Sequence, residues 1–269
     1  MADRSFKDVR CAVALGFDVD GVTMWGADNP KFARLPSLMS MGEYGPATAV
    51  PRILKLLDDY DIKASFYIPG YVIDTHEDMV KEISSRGHEI GHHGYMHETP
   101  AKLDQETELD ILERGIACIE RVTGRKPLGY RSPEWEVSEN TLSLVASHGF
   151  TYDSSLMDKD VPYVVETDAG PLMELPVQWL LDDFPYFGYS PPAGVMAPIT
   201  SPDNVFNVWS SEFEGAYHYT QCFVLTMHPQ IIGHPGRLLM LERLIKHIRS
   251  FPGTAFMRNI DLVEYWMDK

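Results

Sequence analysis

Four of the chain's ten histidines fall within "HEIGHHGYMH", residues 88–97, and two acids, Asp18 and Asp20, flank a single valine in "GFDVDG". Imidazole nitrogens and carboxylate oxygens are the donors that hold zinc and similar divalent ions. His93 and His97 are four positions apart, which brings both to one side if the segment makes a helical turn. His92 points away from His93, and His88 belongs to the strand body, so both are placed outside the candidate site. Asp18 and Asp20 end an apolar run and project to the same face. Two carboxylates at the mouth of a buried strand repel each other unless a cation or a proton intervenes. Either motif alone is a weak signal. Together, two histidines and one acid make the three-ligand set of a catalytic metal site, and the second acid is free to act as a base.

Two further stretches fit the same picture. "GYRSPEW" offers Arg131, permanently charged and able to hold a carboxylate bidentately, followed by Trp135, which could wall a pocket. "FVLTMHPQ" puts His228 directly after an apolar run.

Residues so far apart must be brought together by the elements between them. Apolar runs predict strands over 11–19, 62–68, 88–93, 128–132, 150–154, 172–179, 222–228 and 254–259, with "FTYDS" (150–154) the least convincing. Helical spacing predicts helices over 47–60, 75–87, 104–124, 138–149, 203–217, 236–250 and 260–268. Thr75 and Asp78 resemble a capping box, and Ser138 an N-cap. Strands alternating with helices imply a parallel sheet, and seven or eight of them suit a closed or nearly closed barrel with its chemistry at the strands' C-terminal ends. Two Pro- and Gly-rich connections, 24–46 and 180–202, break the rhythm and are expected to carry binding surface or subunit contacts. No internal repeat or low-complexity segment is evident, so residues 1–269 read as one domain.

The formal net charge of −16 opposes nucleic acid and anionic membrane as partners and only weakly favours a neutral or cationic small substrate. Cys11, Cys118 and Cys222 are odd in number and far apart, which suits reduced, buried thiols. The N-terminus lacks the apolar core of a signal peptide, and no apolar run reaches the ~20 residues that span a bilayer. A soluble, cytoplasmic protein is expected.

In this combination and order, "FDVDG", "HGYMH", "RSPEW" and "TMHP" resemble the motifs of the polysaccharide deacetylase (NodB-homology) superfamily, across about 18–229. The "DVD" spacing and "LPVQWLLDD" look like a cytosolic branch that includes an atypical peptidoglycan deacetylase, allantoinase-like proteins and cyclic imide hydrolases. The resemblance implies a distorted (β/α) barrel of about seven parallel strands and a divalent ion, zinc first among the candidates, on Asp20, His93 and His97. It further implies Asp18 as the base, Arg131 as its orienting partner and His228 as the general acid. An aspartate tuning that histidine would be Asp182 or Asp183; Asp183 is taken for that role, and Asp182 with Trp135 for substrate contact. Val19 separates acids that are adjacent in the usual family wording, so base and ligand could be exchanged. Gly94 stands where Ser or Thr is usual. The implied activity is metal-dependent hydrolysis of a non-peptide C–N bond, removing N-acetyl groups from an amino sugar. A cyclic imide or ureide is the alternative substrate, and a non-catalytic binding module the alternative class. The branch also implies a homo-oligomer such as a tetramer.

Overall fold

A computed structural model describes residues 8–26 and 29–269. Two of the sequence expectations touch residues outside that range, namely the absence of a leader at the N-terminus and part of the 24–46 connection.

The chain begins its sheet with β1 (Cys11–Asp18), buried along its whole length. Its side chains alternate by size. Cys11, Val13, Leu15 and Phe17 join the large core formed with the surrounding helices, whereas Ala12 and Ala14 face the barrel interior. Asp18 continues the interior face, one alternation beyond Gly16. The small interior residues leave room for whatever must reach Asp18.

Beside β1 lie β2 (Ser65–Ile68), β3 (Glu89–His92), β4 (Gly129–Tyr130) and β5 (Tyr152–Asp153), all parallel. Next come β6 (Tyr163–Thr167) and β7 (Gly170–Glu174), an antiparallel hairpin whose β7 strand runs parallel to β5. A separate small hairpin joins β8 (Tyr189–Ser190) and β9 (Val195–Met196). The other flank of β1 pairs in parallel with β10 (Cys222–Met227). β11 (Thr254–Met257) pairs with the first half of β1, below the point where β2 takes over. The main sheet therefore runs β10-β1-β2-β3-β4-β5-β7-β6.

The curl is nearly completed by the chain after β7. Asp182 forms an isolated parallel bridge to Thr226 on the free edge of β10, and Trp209 donates its indole N–H to the Leu180 carbonyl at 3.0 Å. Trp209 is fully buried on the Pro202–Tyr219 helix. The result is the expected distorted barrel, with parallel strands all ending at one rim.

Several local expectations change. The 172–179 strand stops at Glu174, and its hairpin partner β6, with alternating exposure, was not foreseen. Thr75 does not cap the next helix; its hydroxyl donates to the Tyr71 carbonyl, and the Glu77–Ser85 helix starts after His76 with no side-chain cap. Ser138 acts before its helix rather than at the first turn, its hydroxyl accepting from the Asn140 and Thr141 amides. The 24–46 connection is largely helical, with a nine-residue helix over Pro36–Tyr44. All three cysteines are buried free thiols. No helix among the described residues is long and apolar enough to cross a membrane.

Candidate active site

Asp18 ends β1 and Asp20 lies just beyond it, His93 and His97 follow β3, Arg131 follows β4 and His228 follows β10. Six residues from four strand ends thus meet at one rim. Parallel strands place their C-termini together, and the loops beyond them hold the chemistry.

His93 and His97 do not sit on a helical turn. The chain leaves β3 as an irregular loop in which Gly94 and His97 both have positive φ, +71° and +63°. That reversal turns His97 back toward His93, with ring centroids 5.1 Å apart. Glu98 fixes the loop from inside by accepting the Tyr95 and Met96 amides at 3.0 and 2.7 Å.

His93 hydrogen-bonds through Nδ1 to the Arg131 carbonyl at 2.8 Å. A carbonyl only accepts, so the proton sits on Nδ1 and the Nε2 lone pair is left free. That lone pair lies 3.4 Å from Asp20 Oδ1, and His97 Nε2 lies 3.8 Å from the same oxygen. Asp20 Oδ1 is buried with no hydrogen-bond donor. A carboxylate oxygen left without a donor in a buried site is unfavourable until a cation stands beside it. Ligands ~2.0–2.1 Å from a tetrahedral ion would be about 3.3 Å apart, close to the spacing found here. The donor set therefore fits a divalent ion. Burial alone would raise the Asp20 carboxyl, but the His97, His93 and His228 imidazoles pull it down to about 2.

Asp18 has a different surrounding. Arg131 donates from Nη1 to Asp18 Oδ1 at 2.9 Å, from Nη2 to Ser154 Oγ at 2.9 Å and from Nε to the Ser154 carbonyl at 3.2 Å. The contact to Asp18 is a single bond rather than the bidentate pair anticipated, because Ser154 takes the rest of the guanidinium. Below lies the Tyr67 ring, 4.2 Å from the guanidinium carbon. A Cβ on Gly16 would stand 2.9 Å from Arg131 Nη1, so the close approach requires glycine there. Burial works against the Arg131 charge, and the Asp18 carboxylate overcomes it, holding the guanidinium above its ordinary range.

His228 occupies the opposite wall. Its Nδ1 is 2.7 Å from Asp183 Oδ1 and 3.6 Å from Asp182 Oδ1, and its backbone N–H also donates to Asp183 at 3.1 Å. Asp183 is thus the bonded partner, while Asp182 accepts the Phe184 amide at 2.7 Å and lines the cavity. Burial disfavours charge on His228, but two carboxylates outweigh it and hold the imidazole well above its ordinary range. Burial likewise lifts Asp182 to about 7, against the pull of His228. Asp182, Asp183 and His228 are also close enough to share an ion. The 2.7 Å separation already accommodates a direct hydrogen bond there, unlike the orphaned Asp20 oxygen.

Asp18, Asp20, His93, His97, Asp182 and His228 open on one cavity of about 640 Å³. Trp135 is in its wall, packed against Trp179 with ring centroids 4.6 Å apart. Glu134 and Trp135 are both in the left-handed region, φ 58° and 55°, a local cost that recurs at functional loops. Trp25, Phe32, Phe184 and Val195, from the two long connections, complete the apolar side. Those four, and the supports Tyr67, Ser154 and Gln230, were not singled out from the sequence. Gln230 donates to Asp20 Oδ2 at 3.4 Å. Its nearness to His228 in "HPQ" is the one sequence signal that could have found it.

The polysaccharide deacetylase profile matches residues 36–152. The chain is 33% identical to a peptidoglycan deacetylase of Helicobacter pylori, over 91% of this chain and 92% of that protein. A solved Mycobacterium smegmatis structure assigned to the polysaccharide deacetylases superposes with a TM-score of 0.94 at 37% identity, covering 97% of this chain and 92% of the other. PuuE allantoinase shares the fold, with a TM-score of 0.84 at 24% identity over 98% of this chain and 92% of its own. The chain belongs to the polysaccharide deacetylase family.

Proposed function

We propose that this protein hydrolyses a non-peptide C–N amide bond, removing N-acetyl groups from an amino sugar, with a divalent ion held by Asp20, His93 and His97. The observation that carries this reading is that two imidazole nitrogens approach one buried carboxylate oxygen that has no hydrogen-bond donor, beside a separately held second acid. A bound divalent ion there supplies Lewis-acid polarisation and makes water a stronger acid.

The protein's own groups do the rest. Asp18, oriented by Arg131, is the base that takes a proton from the attacking water. Arg131 is bonded elsewhere by Ser154, so its direction toward Asp18 is fixed before substrate arrives. His228, kept protonated by Asp183 and Asp182, gives a proton to the departing nitrogen. Asp182 faces the cavity as an acceptor for a substrate N–H or O–H, and Trp135 with Trp179 offers an aromatic wall. We read Asp20 as the ligand and Asp18 as the base, a reading supported by the bond that commits Asp18 to Arg131 and by the lack of a donor at Asp20 Oδ1.

A small cyclic imide or ureide is the second reading. It is supported by the cavity's volume, typical of small-molecule sites, and by its apolar wall from two long connections. The test is hydrolysis by zinc- and cobalt-loaded protein of N-acetylglucosamine oligomers and of an imide and ureide panel. Acetate release from the oligomers supports deacetylation. Ring opening alone moves the assignment to the second reading, and no turnover of either class rejects both.

A further inference from the structure

Behind Arg131, on the helix-bearing side of the sheet, lie two acids that the reaction does not use. Asp153 ends β5 and Glu174 ends β7, and the strand register sets them side by side. Both are fully buried. One oxygen of each is committed. Glu174 Oε1 accepts the Ser155 and Leu156 amides, both at 3.0 Å, and Asp153 Oδ1 accepts the Ser155 hydroxyl at 2.8 Å. The remaining two, Asp153 Oδ2 and Glu174 Oε2, are buried without a donor, although the carboxyl groups lie within hydrogen-bonding reach of each other. Were both ionised, two like charges would be buried against each other. One proton between the two oxygens gives each a partner and removes one charge. Burial raises both groups, Glu174 well above the ordinary carboxyl range. Arg131, Tyr130 and Tyr163 are the titratable neighbours that face them, and the Tyr163 hydroxyl is itself bonded to Asp158.

The same short stretch has two faces. Ser155 is held by the acid pair, and its hydroxyl accepts the Ser132 amide at 2.9 Å, pinning the chain just after Arg131. Ser154, between Asp153 and Ser155, points the other way and takes two of the three Arg131 bonds.

We propose that Asp153 and Glu174 share a single proton and act as a positioning pair, locking Ser154 and Ser155 so that Arg131 presents its guanidinium to Asp18. The consequence for catalysis rests on the hydrolase reading above; the shared proton and the seating of Arg131 do not.

The test uses Glu174→Gln, Asp153→Asn and the double variant, with stability read by chemical denaturation. In either single variant the amide oxygen keeps the existing bonds and the NH2 group donates to the remaining carboxylate, so each reproduces the protonated arrangement. In the double variant two NH2 groups face each other. The expected result is two singles near wild-type stability at neutral pH and a double clearly below both. A double variant as stable as the singles, or a loss equal to the sum of theirs, overturns the shared proton. The folded pair also keeps a proton that the unfolded chain releases, so wild-type stability should fall from the carboxylate range toward neutral pH, and Glu174→Gln should flatten that slope. An unchanged slope counts against the pair.

Positioning is read without turnover, from hydrogen exchange at the Arg131 Nε–H by NMR. Exchange should stay slow in Glu174→Gln and accelerate about tenfold or more in Glu174→Ala through local opening. Equal rates in both overturn the positioning role. If Glu174→Ala does not fold, Ser155→Ala, which cuts the tether to Ser132, takes its place with the same expected acceleration. Should the protein hydrolyse nothing in the assay above, these measurements still decide the inference, and the two failures remain distinct.

Discussion

His93 Nδ1 donates to the backbone carbonyl of Arg131 at 2.8 Å, so the imidazole of the candidate metal centre and the arginine that orients Asp18 are fixed to each other. One bond sets the tautomer of His93, frees its Nε2 toward Asp20 and anchors the residue whose side chain reaches Asp18. The two halves of the proposed chemistry are registered through β3 and β4 rather than through the site's own loops.

Asp18→Asn separates base from ligand. It should retain bound metal, since Asp20, His93 and His97 are untouched, and lower kcat by about 10²–10⁴-fold, the usual worth of a general base. His93→Ala should do the reverse at the centre and lose the ion. Elemental analysis alongside a rate assay checks both. Metal lost in the first would exchange the roles of the two acids, and metal kept in the second would remove His93 from the ligand set.

Gly16→Ala should act on a residue it does not adjoin in sequence. The new methyl would lie 2.9 Å from Arg131 Nη1, whose guanidinium is pinned by Ser154 and cannot move freely. The expected outcome is a lower kcat with little change in KM and unaltered metal content. Wild-type kcat would show that the guanidinium can shift without consequence for Asp18.

Asp183→Asn should move the alkaline limb of activity. His228 works in its protonated form, so activity is present below its pKa and lost as pH rises through it. The Asp182 and Asp183 carboxylates raise that pKa, and removing one charge lowers it. The fall in kcat/KM should therefore begin at lower pH in the variant, while the amide still meets the His228 backbone N–H. A pH–rate profile that does not move would exclude Asp183 as the tuning residue.

His92 should make the fold acid-sensitive. Its Nδ1 accepts the Gly94 amide at 3.2 Å and its Nε2 donates to the Leu112 carbonyl at 3.1 Å, so only the neutral ring satisfies both bonds. Burial takes its pKa down to about 3. The unfolded chain binds a proton near pH 6.5 and the folded chain does not, so stability is full above that range and is lost as pH falls toward 3. The loss is of the order of a few kcal/mol, at 1.36 kcal/mol per pKa unit. Denaturation midpoints for wild type and His92→Gln between pH 7 and 4 check this, and the variant should be the flatter of the two.

Much of this site was legible one strand end at a time. "FDVDG", "HGYMH", "RSPEW" and "TMHP" each follow an apolar run, and a parallel arrangement obliges such ends to share a rim. What spacing could not supply was local backbone shape. The His93–His97 interval suggests a helical turn, yet left-handed backbone at Gly94 and His97 does the work instead. Equally, "FTYDS" is a poor strand by pattern, because its two paired residues are Tyr152 and Asp153. Their stability comes from neighbours on β4 and β7, and such non-local terms leave no periodicity in the stretch itself.

The residue types and their order along the chain were enough to nominate a metal-binding triad, a spare acid, an arginine and a late histidine. Tertiary structure alone decided which oxygen lacks a donor, that Arg131 spends two of three bonds on Ser154, and that Asp183 rather than Asp182 bonds His228. The reason is that ligand choice and protonation depend on differences of a few tenths of an ångström, and on which hydrogen bonds are already taken. Those quantities arise only when distant segments pack.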